Sequence, residues 1–273
     1  MSTVINTNIA SLTAQRGLAK SSMEMATALQ RLSTGLRVNS AKDDAAGLAI
    51  AERLTTQVRG YNQAIRNAGD GISLAQTAEG GLESIANSIQ RMRELSVQAA
   101  NATLTDADRQ AINKEIEQLL EEVDRVDEQT KFNNLELFTA TGSTFDFQVG
   151  ANDGEVIEVA TIGLMDTTTL GINGIDLTTQ GGAESALTSL DTALGTVTTA
   201  RAGLGAVINR FEQTISNLRM TVENVSSARS RIQDADFAAE TAALTRQQIL
   251  QQSGMAVLSQ ANQIPQNVLS LLR

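Results

Sequence analysis

One stretch constrains this chain more than any other. Between Leu187 and Val225 a residue recurs at every third or fourth position: Leu187, Leu190, Leu194, Val197, Arg201, Leu204, Ile208, Phe211, Ile215, Leu218, Val222 and Val225. Only Arg201 departs from the apolar rule. A period near 3.5, sustained that long, keeps one stripe of a long helix facing a partner helix. Composition agrees. The chain is 41% hydrophobic but only 3% aromatic, with no Trp and a single proline. Ala, Leu, Ile and Val must therefore fill the core in place of the aromatics that most cores lean on, and little proline is present to interrupt helices.

Partner seams lie upstream. Ala75, Ala78, Leu82, Ile85, Ile89 and Met92 step by three and four, as do Ile112, Ile116, Leu119, Val123 and Val126. Between them Asn101–Asp108 reads as a turn, with Thr105 or Asp106 as the N-cap of the next helix. These patterns predict antiparallel helices over 45–129 and 183–230. From Thr130 to Gln180 the helical pattern gives way to Gly, Thr and Asn. Phe145, Phe147 and Val149 alternate, Asn152-Asp153-Gly154 supplies a turn, and "EVIEVATI" follows, which together predict a β-hairpin. Residues 171–182 read as loop. The fold class is mainly α: a long antiparallel helical rod with coiled-coil terminal segments and a small β-hairpin region.

The ends differ from the rod. Ile5, Ile9 and Leu12, then after a register shift Leu18, Ser22, Met25, Leu29 and Leu32, mark a stripe near the N-terminus. Leu250, Gly254, Val257, Ala261, Ile264, Val268 and Leu271 mark another near the C-terminus. Segments 33–47 and 226–236 read as linkers. Two segments with one stripe each are drawn to pair, yet such a pair buries only one face of each helix. The ends are accordingly expected to be mobile in an isolated monomer and to order when neighbouring copies cover their remaining faces. The corresponding domains are 1–40, 41–182, 183–230 and 231–273.

Several functions are disfavoured by composition. Without Cys or His, the usual zinc sites and Ser-His or Cys-His nucleophile systems cannot be built. No catalytic, cofactor-binding or metal-binding residue is assigned. The carboxylates of Glu115–Gln129, among them Glu121, Glu122 and Asp124, read as the solvated face of an amphipathic helix. "GANDGE" at 150–155 lacks the full spacing of a calcium loop. Residues 1–40 carry four basic groups and one acidic group, and 231–273 carry three of each. The net charge of −10 thus leaves −13 to residues 41–230. That balance argues against nucleic acid as a partner. No run approaches the roughly 20 apolar residues of a membrane span, and the first residues lack the basic start and apolar run of a cleaved signal peptide.

"INTNIASLTAQRGL", "RLSTGLRVNSAKDDAAGLAIAERL", "NAGDGISLAQTAEGGL", "RMRELSVQAAN", "QTKFNN" and "QVGANDGE" resemble the N-terminal half of bacterial flagellin, and residues 227–273 resemble its C-terminal region. The resemblance covers nearly the whole chain apart from about 156–179, in a short form without extra outer domains. It implies a subunit of the flagellar filament. The terminal helices would form an inner tube and the rod an outer one, with Ile5, Ile9, Leu12, Leu18, Met25, Leu29, Leu32, Leu250, Val257, Ala261, Ile264, Val268 and Leu271 as self-assembly residues. It also implies type III export without a cleaved signal peptide and an export chaperone on Leu250, Val257, Ile264 and Val268. Hook-associated and cap proteins are further implied partners. So is the Toll-like receptor for flagellin, at Gln90, Arg91, Leu95 and Glu115, where Leu95 lies outside the counted seam and is expected to be exposed. Val268, Leu269, Leu271 and Leu272 are implied for a cytosolic sensor. The hook–filament junction protein of the same family is the alternative reading.

Overall fold

The computed structural model describes residues 7–139 and 144–270, the side chains of 264–270 excepted. Among these residues the chain is mainly α. The helices are α1 (Ile9–Thr34), α2 (Ala45–Ala99), α3 (Asp106–Gln129), α4 (Gln180–Gln233) and α5 (Phe237–Ser270). Two antiparallel hairpins lie between α3 and α4: β1 (Lys131–Phe132) with β2 (Leu135–Glu136), and β3 (Thr144–Gln148) with β4 (Val156–Ala160).

Each helix starts where a side chain can take up its free backbone N–H groups. Asn8 accepts from Ser11 N, Asp44 from Gly47 N, Thr179 from Gly182 N, and Asp236 from both Ala238 N and Ala239 N. At α3 the cap is Thr105, one of the two expected residues. It forms a reciprocal capping box with Asp108.

The chain divides into two compact units, residues 59–222 and the combination of 1–58 with 223–273. In the first, the seams of α2, α3 and α4 meet as their spacing predicts. Leu82, Ile85, Ile89, Met92, Ile116, Val123, Leu190 and Val197 are fully buried. Arg201 interrupts the apolar series without burying a lone charge, because it is half-exposed and pairs with Glu79 at 3.5 Å. The β3–β4 hairpin forms around Gly154, whose φ of 81° suits a residue without a Cβ. Its register sets Phe145 opposite Val159 and Phe147 opposite Ile157. Phe147 meets Phe211 of α4 edge to face at 5.5 Å. The helix α2 approaches that ring so closely that a Cβ on Gly71 would lie 2.6 Å from Phe211 Cζ.

The segment before α4 is loop, but it is not merely a return. Met165, Leu170, Ile172 and Leu177 belong to the main core. Carboxylates of α3 hold the segment from beneath. Asp127 accepts from Met165 N at 2.7 Å, and Asp124 accepts from Thr167 N at 2.8 Å and from its hydroxyl. Burial, which disfavours the charged form, pushes the Asp127 carboxyl above the usual carboxylate range against the opposing pull of Met165 N–H. Arg109, buried on α3, donates to the carbonyls of Ala99, Leu104 and Asn101 and so fixes the α2–α3 turn.

In the second unit, the supposed linker 226–236 is helical as far as Gln233, so the break is confined to Asp234–Asp236. It is stitched to the break after α1. Gly35, in the left-handed region at φ 71°, closes α1, and an antiparallel bridge joins Leu36 to Asp234. Ala235 N donates to Gly35 O, and Arg37 N to Gln233 O. The Arg37 guanidinium also donates to the carbonyls of Ile232 and Arg231, placing positive charge on the C-terminal end of α4.

Candidate functional site

The terminal helices α1 and α5 pack along each other in antiparallel sense. Asn8 reaches Ala261, Ser21 reaches Gln247, and Arg31 reaches Glu240. The contact face shares Leu18, Met25, Leu32, Gly254 and Ala261 with the expected stripes and departs from them elsewhere. On α1 it consists of Ser11, Ala14, Leu18, Ser21, Met25, Ala28 and Leu32, all buried or half-buried at unbroken steps of three and four. On α5 it consists of Glu240, Leu244, Gln247, Gln251, Gly254, Leu258 and Ala261. Small residues let the helices approach closely: a Cβ added to Gly254 would sit 3.4 Å from Leu18 Cδ1.

Of the large apolar side chains that sequence spacing assigns to the stripes, Leu18, Met25 and Leu32 face the seam and five others lie beside it. Ile9, Leu12, Leu29, Leu250 and Val257 are 47–67% exposed, as are Met23, Phe237, Ile249 and Met255. Leu18, Met25 and Leu32 are half-buried and Ala261 is buried. Of the remaining assigned residues, Ile5 and Leu271 lie outside the described residues, and Ile264 and Val268 outside those with described side chains. Taking Ile9, Leu12 and Ser22 in place of Ser11, Ala14 and Ser21 imposed the register shift after Leu12. Counting Ser, Ala and Gly as seam residues removes it.

The seam carries polar contacts that spacing alone did not flag. Ser21 Oγ, buried, donates to Gln247 Oε1 at 3.0 Å and lies 3.2 Å from Gln247 O. The Gln247 carboxamide, buried too, donates from Nε2 to Glu24 Oε2 at 2.7 Å. At the far end Asn8 Nδ2 donates to Ala261 O at 2.7 Å. The ion pair of Arg31 with Glu240, at 3.0 Å, closes the other end.

A second cluster of assigned residues lies in the 59–222 unit. Arg91 binds Glu115 through two nitrogens, at 2.8 and 2.9 Å, and Glu94 at 3.1 Å. Those hydrogen bonds, Glu115 first, raise the guanidinium pKa further above its ordinary value. Gln90 is exposed on the same helix. Leu95 is not: it is 3% exposed and sits in the main core. The expectation of an exposed leucine is therefore corrected. Leu95 extends the α2 seam by one further step of three after Met92.

Among the described residues no His, Cys, Asp and Glu cluster could hold a metal ion, and no helix is long and apolar enough to cross a membrane. What the geometry defines is a helical subunit whose terminal pair keeps its bulkiest apolar side chains on the outside, the mark of a component completed by other molecules.

Comparison with known proteins gives the family. The model of the bacterial flagellin N-terminal helical region matches residues 5–143, and that of the C-terminal helical region matches 187–272. A flagellin of Halalkalibacterium halodurans is 45% identical over 277 aligned positions, covering 99% of this chain and all of that protein. One from Xenorhabdus nematophila is 44% identical over 314 positions with both chains covered completely. The crystal structure of Bacillus cereus flagellin aligns with a TM-score of 0.51 at 32% identity, over 56% of this chain and 88% of that one. The chain belongs to the bacterial flagellin family. Membership makes it a structural subunit of the extracellular flagellar filament, in a family of structural proteins rather than enzymes.

Proposed function

We propose that the α1–α5 pair is the part of the subunit that neighbouring copies complete, and that it forms the inner wall of the filament. One observation carries this reading: a seam whose fully buried residues are small or polar, with nine large apolar side chains exposed beside it. Burying such side chains between copies contributes about 1.5–3 kcal/mol each, and a contact that is not self-complementary leaves every subunit ready to receive the next. The same exposed residues of α5, Leu250 and Val257 foremost, suit an export chaperone that covers them before assembly, laid as a helix in an apolar groove. Hook-associated and cap proteins would meet the same ends. Export would proceed through the flagellar type III apparatus without a cleaved signal peptide.

The exposed face of Gln90, Arg91, Glu94 and Glu115 suits recognition by the Toll-like receptor for flagellin, with an Arg at its centre. In this reading Leu95 supports the face from below and makes no contact itself.

Deleting residues 249–273 tests the assembly reading. The expected product is a soluble protein with the 59–222 unit folded by circular dichroism and unable to elongate filament seeds. Normal elongation by that truncate would refute the role assigned to α5. Growth of the full chain that stops after a limited layer would instead indicate the hook–filament junction protein.

A further inference from the structure

The exposed apolar side chains of α1 and α5 lie outside the seam, so they do not define how far one helix slides along the other. Nor does the seam's apolar part. Leu18 rests on Gly254, and a slide of one heptad would set it on Ala261, another small residue. Something else must choose the register.

Two polar contacts can. The first depends on the chain's only proline. Pro265 lies within α5 and has no backbone N–H, so the carbonyl four residues earlier, that of Ala261, receives no helical hydrogen bond from it. That carbonyl is the one Asn8 Nδ2 reaches at 2.7 Å, while Asn8 Oδ1 caps α1 at Ser11 N. One side chain thus serves the first turn of α1 and the carbonyl that proline frees on α5. Before its last turn, whose carbonyls are free in any helix, α5 offers such a carbonyl at one height only. The second contact is the buried Ser21–Gln247 pair, extended to Glu24. Slide α5 a heptad one way and Gln247 faces Ala14 and Gly17, which offer no side-chain partner. Slide it the other way and the Ser21 hydroxyl faces Gly254. Each slide breaks the Ser21–Gln247–Glu24 contact and sets the buried Gln247 carboxamide against an alanine, Ala14 or Ala28, which is costly, and a buried polar residue in a helical seam is a known device for specifying register.

We propose that Pro265 with Asn8, and Gln247 with Ser21, are the register-determining residues of the α1–α5 pair. This deepens the assembly reading, because the register decides which exposed apolar residues of the two helices stand side by side for the next copy.

The absence of native cysteine allows a direct test by short thiol–thiol cross-linking in the full chain. Leu18→Cys with Gly254→Cys reports the native register, and Leu18→Cys with Ala261→Cys reports a one-heptad slide. With all other residues unchanged, only the first pair should cross-link. In a Ser21→Ala, Gln247→Leu, Pro265→Ala background, the slid pair should gain about tenfold in yield. Helicity should not fall, since alanine is the better helix former. Ser21→Thr, which keeps the hydroxyl, should retain the native pattern. Exclusive native cross-linking in the triple variant would overturn the proposal, as would slid cross-links in the otherwise unchanged chain. Seeded elongation of the same variants is a separate readout. If the unsubstituted chain fails to elongate, the assembly reading fails while the cross-linking result stands.

Discussion

The two units bury different things. In the 59–222 unit, α2, α3 and α4 enclose Leu82, Ile85, Ile89 and Met92, and α2 with the β3–β4 hairpin encloses Phe211, so the large side chains are spent inside the molecule. In the α1–α5 pair the fully buried residues are Ser11, Ser21, Ala28, Gln247 and Ala261, and nine large ones remain exposed. Both regions are built on helices with steps of three and four. The lesson is that periodicity says where a seam runs, while residue size says whether the seam is meant to hold by itself. A helix pair closed by small residues and hydrogen bonds is close-packed but gains little from apolar burial.

The same truncation made in both regions should expose this contrast. Leu82→Ala should lower the stability of the 59–222 unit by about 2–5 kcal/mol in urea denaturation. Leu250→Ala should change monomer stability by less than about 0.5 kcal/mol yet slow seeded elongation. Equal losses for the two would mean that α5 is packed as a core helix. A smaller effect separates two glycines. Gly71→Ala should cost about 1–3 kcal/mol, because the added methyl meets the Phe211 ring and the ring must move. Gly254→Ala meets Leu18 only at ordinary contact distance. It should raise helicity by circular dichroism instead, since Ala is favoured over Gly in a helix by up to about 1 kcal/mol.

The smallest effect concerns pH. The folded-state pKa of Asp127 lies above its ordinary value because burial disfavours the charge. The folded chain therefore takes up this proton before the unfolded chain does. Asp127 costs stability above the folded pKa, and that cost is relieved as pH falls toward the ordinary value near 4. Asp127→Asn keeps an acceptor for Met165 N. It should match or exceed the unsubstituted chain in stability at pH 7, with the difference vanishing near pH 4. A large loss at pH 7 would show that the charge itself holds the 163–168 segment.

The α2, α3 and α4 seams were legible because their large apolar residues are also their buried ones, and the hairpin was legible through Phe145, Phe147 and the Asn152-Asp153-Gly154 turn. Four features were not fully so. The α1–α5 seam was half seen: Leu18, Met25, Leu32, Gly254 and Ala261 stood in the expected stripes, but Ser11, Ala14, Ser21 and Ala28 score as neutral in an apolar count and were passed over. The core role of Ile172 and Leu177 was hidden because their segment has no period, and its position depends on α3 residues such as Asn113, which accepts from Leu177 N. Leu95 was misplaced because the seam count stopped one step early at Met92. Arg109, a charge on an exposed-looking helix, gave no sign that it would bind three carbonyls.

The partners Ser21 and Gln247 stand 226 positions apart, and Asn8 and Ala261 stand 253 apart. Closing so large a loop is slow compared with local helix pairing. A chain synthesised N-terminus first can therefore settle its middle while residue 8 still waits for residue 261, so the zipper between its two extremities is the last fastening to close.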